Sequence, residues 1–274
     1  MTIEADPTLV AIVVDGRALQ LEFTWIEPDG ADPSRAPLVF LHEGLGSVSM
    51  WKDFPTRLCT AIARRGLVYS RPGYGRSTAK RPGEHWGLDF MHLQARRVLP
   101  ALLEALEVAG PVVLFGHSDG GSIALIHAAS FPGTVEAAIV MAPHILVEEF
   151  GLVGIREARA AYEQGVLRAR LARHHADVDS AFRGWNDIWL DPEFPTWTIE
   201  DLLPRIACPV LAIQGLDDVY GTMAQIDGIA SRVDRTQLVK LADCGHSPHR
   251  DRADAVIAAT TEFLRCFETE AGPR

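Results

Sequence analysis

The residues best placed to do chemistry lie at Gly116-His117-Ser118-Asp119-Gly120, a G-x-S-x-G pentapeptide. By composition alone such a pentapeptide arises in about one chain in ten of this length, so its setting carries the argument. It follows the apolar run Val112-Val113-Leu114-Phe115 directly and precedes a helical pattern over 121–129. A strand that turns abruptly into a helix holds its turn residue in a strained conformation, and small neighbours are needed to avoid collision. Gly116, Gly120 and Gly121 give that room. A serine hydroxyl is a poor nucleophile at neutral pH unless an imidazole nitrogen accepts its proton as it attacks a carbonyl. A carboxylate behind the imidazole would fix its tautomer and stabilise the cation formed during attack. The chemistry implied is acyl transfer through Ser118.

Such a constellation needs a scaffold, and the apolar pattern describes one. Leu9 to Val14 and an alternating stretch through Leu19, Leu21, Phe23 and Trp25 flank Asp15-Gly16, which predicts an antiparallel hairpin at a sheet edge. Near-continuous apolar runs at 38–41, 67–69, 112–115, 137–141, 210–213 and 238–241 read as strands buried on both faces. Helical patterns at 51–64, 90–108, 121–129, 223–232 and 253–266 fill the gaps. The alternation predicts an α/β fold: a mostly parallel twisted sheet of about eight strands with helices on both faces. Between Met141 and Val210 the chain shows helical patterning and no strand candidate. That break predicts a helical cap over 147–208, inserted into a core made of 1–146 and 209–274.

On these features the chain resembles the α/β-hydrolase superfamily over nearly its whole length, specifically its cap-bearing, carboxylesterase-like serine hydrolases. The resemblance implies Ser118 as nucleophile, followed in chain order by an acid and then a histidine. In Gly215-Leu216-Asp217-Asp218 the family pattern places the acid three residues after the glycine, at Asp218, with Asp217 as the alternative. Gly245-His246-Ser247-Pro248 is similar to the family's G-H-x-P and implies His246 as the base, with His249 as its rival. The ordinary pKa of histidine, near neutrality, suits that task. The backbone N–H of Asp119 is one expected oxyanion donor. Gly44 is the other, in His42-Glu43-Gly44-Leu45-Gly46-Ser47, which is similar to H-G-x-x-G-S but carries Glu43 where the family has glycine. Arg71-Pro72-Gly73-Tyr74-Gly75-Arg76-Ser77 resembles the D-x-P-G-x-G-x-S loop, with Ser70 at the aspartate position. It is read as a structural turn, with Arg71 and Tyr74 near the pocket rim.

The remaining conspicuous residues divide between site and scaffold. His144 ends a strand candidate and is expected to line the pocket, because ligands in such sheets bind beyond the carboxyl ends of strands. Glu43, Trp185, Trp189 and Tyr220 are the other pocket candidates. Phe182, Phe194 and Trp197 share the cap with the two tryptophans and serve equally well to dock it. His85, His174 and His175 read as solvated, and the arginines from Arg156 to Arg183 as a solvated helix face. His117 is expected to pack or bond locally. The Asp119 side chain reads as a helix N-terminal aspartate favoured by the dipole.

Composition bounds the partners. The 274 residues carry 26 Lys plus Arg against 36 Asp plus Glu, a net charge of -10, which is the wrong sign for binding a phosphate backbone. Residues 1–7 show no leader pattern, and no apolar run approaches the ~20 residues of a membrane helix. A cytoplasmic protein is expected, with neither nucleic acid nor membrane as partner. The four scattered cysteines read as reduced thiols, with no metal-ligand spacing. The resulting expectation is a cofactor-independent, metal-free serine hydrolase acting on a small, mainly apolar ester, thioester or lactone. Oligomeric state is left open. The alternatives are a carbon-carbon bond hydrolase of aromatic ring-fission products, a cofactor-free perhydrolase or haloperoxidase, and a non-enzymatic small-ligand receptor on the same scaffold. Epoxide hydrolases and haloalkane dehalogenases are disfavoured, since those relatives use an aspartate where this chain has Ser118.

Overall fold

Asp15 and Gly16 both take positive φ, 47° and 77°, as a two-residue hairpin with the twist of its strands requires. They join β1 (Thr8–Val14) to β2 (Arg17–Ile26), paired from Thr8↔Phe23 to Val14↔Arg17. The computed structural model describes residues 8–271, with side-chain surroundings through 266. Residues 1–7, read above for leader features, lie outside the described residues.

Six further strands follow: β3 (Leu38–Leu41), β4 (Gly66–Tyr69), β5 (Val112–His117), β6 (Val135–Met141), β7 (Val210–Gly215) and β8 (Thr236–Leu241). They form one sheet of eight strands in the order β1-β2-β4-β3-β5-β6-β7-β8. Only the β1–β2 and β2–β4 pairings are antiparallel. The helices are α1 (Phe54–Ile62), α2 (Phe90–Leu93), α3 (Leu99–Ala105), α4 (Asp119–Ser130), α5 (Glu149–Glu163), α6 (Val166–Leu171), α7 (Val178–Trp189), α8 (Ala224–Ala230), α9 (Pro248–Asp251) and α10 (Ala253–Ala271).

Because successive strand residues point to opposite faces, each central strand feeds two cores. Val39, Leu41, Leu67 and Leu114 enter one, which α2, α3, α4 and α8 cover. Leu38, Phe40, Val68 and Phe115 enter the other, closed by Phe54 and Leu58 of α1 and Val256 and Phe263 of α10. Burial on both faces is why the central strands read as unbroken apolar runs. Each fully buried side chain of this kind contributes roughly 1.5–3 kcal/mol. By contrast β8, expected to be buried in the same way, is an edge strand with no buried residue and with Leu238 exposed.

Two expected helices differ in detail. The helix expected over 90–108 is α2 and α3 joined by a π-helical turn, Gln94–Val98. Pro100 lies just beyond, and its missing N–H and ring disfavour a regular i−4 ladder there, which a widened turn accommodates. The helix expected over 51–64 is preceded by a 3₁₀ turn, Val48–Trp51, and ends where Ala63 takes a left-handed φ of 50°. Between β6 and β7 the described residues hold α5, α6, α7 and two 3₁₀ turns, with one isolated bridge, Leu146↔Thr198. Among the described residues, no helix is long and apolar enough to cross a membrane.

The loop after β4 replaces a missing carboxylate. Ser70 donates its hydroxyl to Glu22 Oε2 at 2.6 Å and accepts the Val48 amide at 2.9 Å. The same Glu22 oxygen accepts the Arg76 amide at 2.9 Å. Ser77 Oγ donates to Ser70 O at 2.6 Å and accepts the Glu22 amide at 2.9 Å. The neighbouring strand β2 thus lends the carboxyl group that the loop itself lacks. Replacing Glu22 with alanine strands the buried Ser70 hydroxyl and the part-buried Arg76 amide, so it should lower unfolding stability by about 2–4 kcal/mol. Adding Ser70→Asp should recover part of the loss, measured by urea denaturation. A loss below about 0.5 kcal/mol, the scale of an ordinary surface substitution, would contradict the assignment.

Candidate active site

Ser118 sits between β5 and α4 with φ 53° and ψ −119°, a strained conformation that thrusts its side chain out of the turn. The turn closes tightly against β3: a Cβ on Gly120 would lie 2.0 Å from the Leu41 carbonyl oxygen. Ser118 Oγ is 2.9 Å from His246 Nε2. His246 Nδ1 lies 2.9 Å from each Asp218 oxygen. With Nδ1–H donating to the carboxylate, Nε2 is left as acceptor for the serine hydroxyl. Burial alone would raise the Asp218 pKa, but the hydrogen bond and charge of His246, with the Tyr220 amide, outweigh it and hold it below the usual value. The alternatives weighed in the sequence lie elsewhere. Asp217 is exposed, and His249 packs its ring against Trp51, Phe54 and His117.

The loop after β3 is held from behind. The Glu43 carbonyl accepts Arg71 Nη2 at 2.9 Å and His42 Nδ1 at 2.7 Å, while the Arg71 amide donates to His42 Nε2 at 3.0 Å. Since a peptide unit is planar and trans, anchoring that carbonyl turns the Gly44 N–H the opposite way. Neither the Gly44 nor the Asp119 amide donates to another group among the described residues. Trp185 lies directly on the Gly44 backbone, where a Cβ would fall 2.1 Å from Cδ1 of the indole.

Glu43 fills the glycine position with a charge whose partners are in place. Its carboxylate lies 3.5 Å from His117 Nδ1 and 3.5 Å from Arg250 Nη2. Burial would raise its pKa, yet the bond to His117 and the charges of His117 and Arg250 hold it well below the usual range. His117 Nε2 donates to the main-chain carbonyl of His246 at 2.6 Å. The expected local contact is therefore a long-range one, reaching the residue that faces Ser118.

Several further expectations are corrected. Asp119 is more than a helix N-terminal aspartate: its carboxyl is fully buried, accepts the Trp189 indole N–H at 3.2 Å and lies 3.6 Å from Arg71 Nη2. Burial raises its pKa, and Arg71 opposes the rise. His175 is buried rather than solvated, accepting the Gly75 amide at 2.9 Å and donating to Leu45 O at 3.0 Å. His174 is half-buried beside Ser49, and His85 is exposed as expected. Arg71 and Tyr74 are buried beneath the site rather than at its rim. Arg156, Arg159 and Arg168 pair with Glu149, Asp187 and Asp179 at the surface.

Ser118 and His246 open into a cavity of about 230 Å³. Gly44, Glu43, His144, Trp185, Trp189 and Tyr220 all line it, so every pocket candidate converges there. Sequence reading missed Gly151, Ile155, Ala158 and Leu167, which close the wall from α5 and α6. Their period along a helix was visible; which face would meet the serine was not. No lysine or arginine is among the lining residues. Phe194 and Trp197 stack together, as do Tyr162 and Phe182, and they pack the helical segment. Among the described residues, no cluster of three or more His, Cys, Asp or Glu side chains is arranged to hold a metal ion.

Residues 38–259 match the Alpha/beta hydrolase family, and the chain belongs to it. It is similar to human "Serine hydrolase BPHL" (Homo sapiens), with 27% identity over 225 residues, covering 78% of this chain and 72% of that protein. Among solved structures, the enol-lactonase from Burkholderia xenovorans LB400 superposes with a TM-score of 0.71 at 19% identity, covering 93% of this chain and 99% of the other. A structure of epoxide hydrolases from hot-environment metagenomes superposes with a TM-score of 0.72 at 22% identity, covering 95% and 99%. These superpositions establish the shared fold.

The buried histidines make stability depend on pH. Burial is the main cause in each case, depressing His144 to about 3 and His175 to about 4 from an ordinary 6.5. His42 and His249 are also held well below that value, again mainly by burial. The unfolded chain protonates these groups near pH 6.5 while the native state does not, so stability is full above 6.5 and falls as pH drops toward 4. Burial lowers His127 as well, and the elevated Asp119 acts in the opposite direction, one group against five. Urea midpoints measured from pH 7.5 to 4.5 should decline steadily below 6.5; a flat profile would contradict the neutral, buried state of these rings.

Proposed function

We propose that this chain is a cofactor-independent serine hydrolase that cleaves a small, uncharged, mainly apolar ester, thioester or lactone through an acyl intermediate on Ser118. The observation carrying this reading is the unbroken 2.9 Å chain from Ser118 through His246 to Asp218, open to an apolar cavity. In this reading His246 takes the hydroxyl proton as Ser118 attacks the carbonyl and then gives it to the departing alcohol or thiol. Asp218 stabilises the transient imidazolium. The Gly44 and Asp119 amides receive the oxyanion. Water then attacks the acyl-serine as His246 accepts its proton; that proton passes to Ser118 Oγ as the acyl carbon–oxygen bond breaks and the acid product leaves.

In the same reading, residues 147–208 serve as a cap over a core of 1–146 and 209–274. The size and charge of the cavity bear on substrate class. It lies below the roughly 300–1,000 Å³ usual for drug-sized ligands, which favours compact acyl groups. A wall without lysine or arginine offers nothing to neutralise a carboxylate, which counts against anionic ring-fission products.

A fluorophosphonate probe should label Ser118, with labelling abolished in His246→Ala. Ser118→Ala should lower kcat/KM on p-nitrophenyl butyrate by about 10³-fold or more. Within a p-nitrophenyl series, acetate and butyrate should be cleaved far better than palmitate. An unlabelled wild-type protein that cleaves none of these esters would point to the receptor alternative.

A further inference from the structure

We propose that His144 is a specificity-determining residue, selecting carbonyl substrates that carry a second uncharged oxygen, as a hydroxyl, ether or carbonyl, a few bonds from the scissile bond. The inference rests on the serine-hydrolase reading above and narrows the class of compound the cavity takes.

The position of the ring is fixed by its backbone and its neighbours. His144 follows β6 after Ala142, whose φ of 45° turns the chain sharply. Ser122 of α4 clasps it, donating its hydroxyl to His144 O at 2.7 Å and accepting the His144 amide at 3.0 Å. The imidazole stands edge-on to Trp189, with ring centres 4.8 Å apart and planes at 66°. Trp189 is itself held by its indole bond to Asp119. On the other side, the ring centre of His246 is 5.9 Å away. His144 therefore faces the cavity within reach of anything bonded to Ser118.

Its chemistry is not used by the fold. The residue is only 4% exposed, and neither ring nitrogen bonds to another group among the described residues. By contrast, His42, His117, His127 and His175 each engage at least one ring nitrogen with the chain. The ring nitrogens border the open cavity rather than being sealed in the core, so they are free to pair with a bound ligand, which a leucine or phenylalanine in the same wall could not do. The carboxylate of Glu43, also in the wall, faces His117 and Arg250. Burial and the neighbouring His246 keep His144 neutral at working pH. It therefore offers one N–H donor and one acceptor nitrogen, with no charge to attract a carboxylate. A substrate oxygen would satisfy the donor, and a hydroxyl could instead satisfy the acceptor. A plain alkyl ester leaves both unpaired, the condition under which a polar site discriminates strongly.

The test compares kcat/KM for matched esters. One arm sets p-nitrophenyl 3-hydroxybutyrate and 3-methoxybutyrate against p-nitrophenyl butyrate, placing the extra oxygen on the acyl side. The other sets 2-methoxyethyl butyrate against propyl butyrate, placing it on the alcohol side. Wild-type protein should favour the oxygenated partner by about tenfold or more in at least one arm. His144→Phe, which keeps a ring against Trp189, should bring that ratio close to one, and His144→Gln should restore part of it. Ratios near one in both arms for wild type overturn the proposal without any variant. So does a ratio retained in His144→Phe, or one abolished instead by Tyr220→Phe. Fluorophosphonate labelling of Ser118 separates the two levels: labelling with flat ratios removes only the role of His144, whereas no labelling and no ester cleavage removes the underlying reading.

Discussion

The arrangement around Ser118 depends on one buried cation. The Arg71 side chain has no solvent exposure, where an unpaired charge is costly. It is held by the Glu43 carbonyl, by the Asp119 carboxylate and by the ring of Tyr74, whose centroid lies 4.7 Å from the guanidinium carbon. These contacts tie three separate stretches together. The loop after β3, the start of α4 and the turn after β4 are all referred to one guanidinium. The direction of the Gly44 amide follows from that hold, because its peptide plane cannot rotate while its carbonyl is engaged.

The helical segment between β6 and β7 is fastened to the same ground. Trp189 bonds the Asp119 carboxyl that Arg71 faces. His175 bridges the Gly75 amide and the Leu45 carbonyl, and Ser180 Oγ donates to Gly73 O and accepts the Lys80 amide. Cavity wall and reactive serine thus share their supports. A change at Asp119 would disturb the position of Trp189 and, through it, the ring of His144. On the opposite side, His117 links the Glu43 carboxylate to the backbone of His246, so the departure at position 43 is absorbed by the same framework.

Much of this was legible in the residues. The Asp15-Gly16 turn, the apolar runs and the β-α alternation identified the sheet, because a hairpin needs positive φ and a doubly covered strand must be apolar on both faces. The glycines around Ser118 marked the sharp turn for the same kind of local reason. What local pattern could not reveal was partnership across the chain. His117 looked like an elbow residue and His175 like a surface one, yet each is defined by a carbonyl far away in sequence. Arg71 gave no sign that its charge was buried, since a basic residue in a turn is ordinarily solvated. The interior of the 90–108 helix was misread for a different reason: Pro100 was present, but it is accommodated by a widened turn at Gln94–Val98 rather than by a break.

The exchange between Glu22 and Ser70 has a consequence for descent. These positions lie 48 residues apart but jointly provide one carboxyl group to a single turn. Drift at either is tolerated only with the other in the right state. In any lineage derived from this chain, losing the glutamate becomes viable once an aspartate has arisen at position 70. The two sites should therefore be inherited as a linked pair, readable across descendants as a correlated switch.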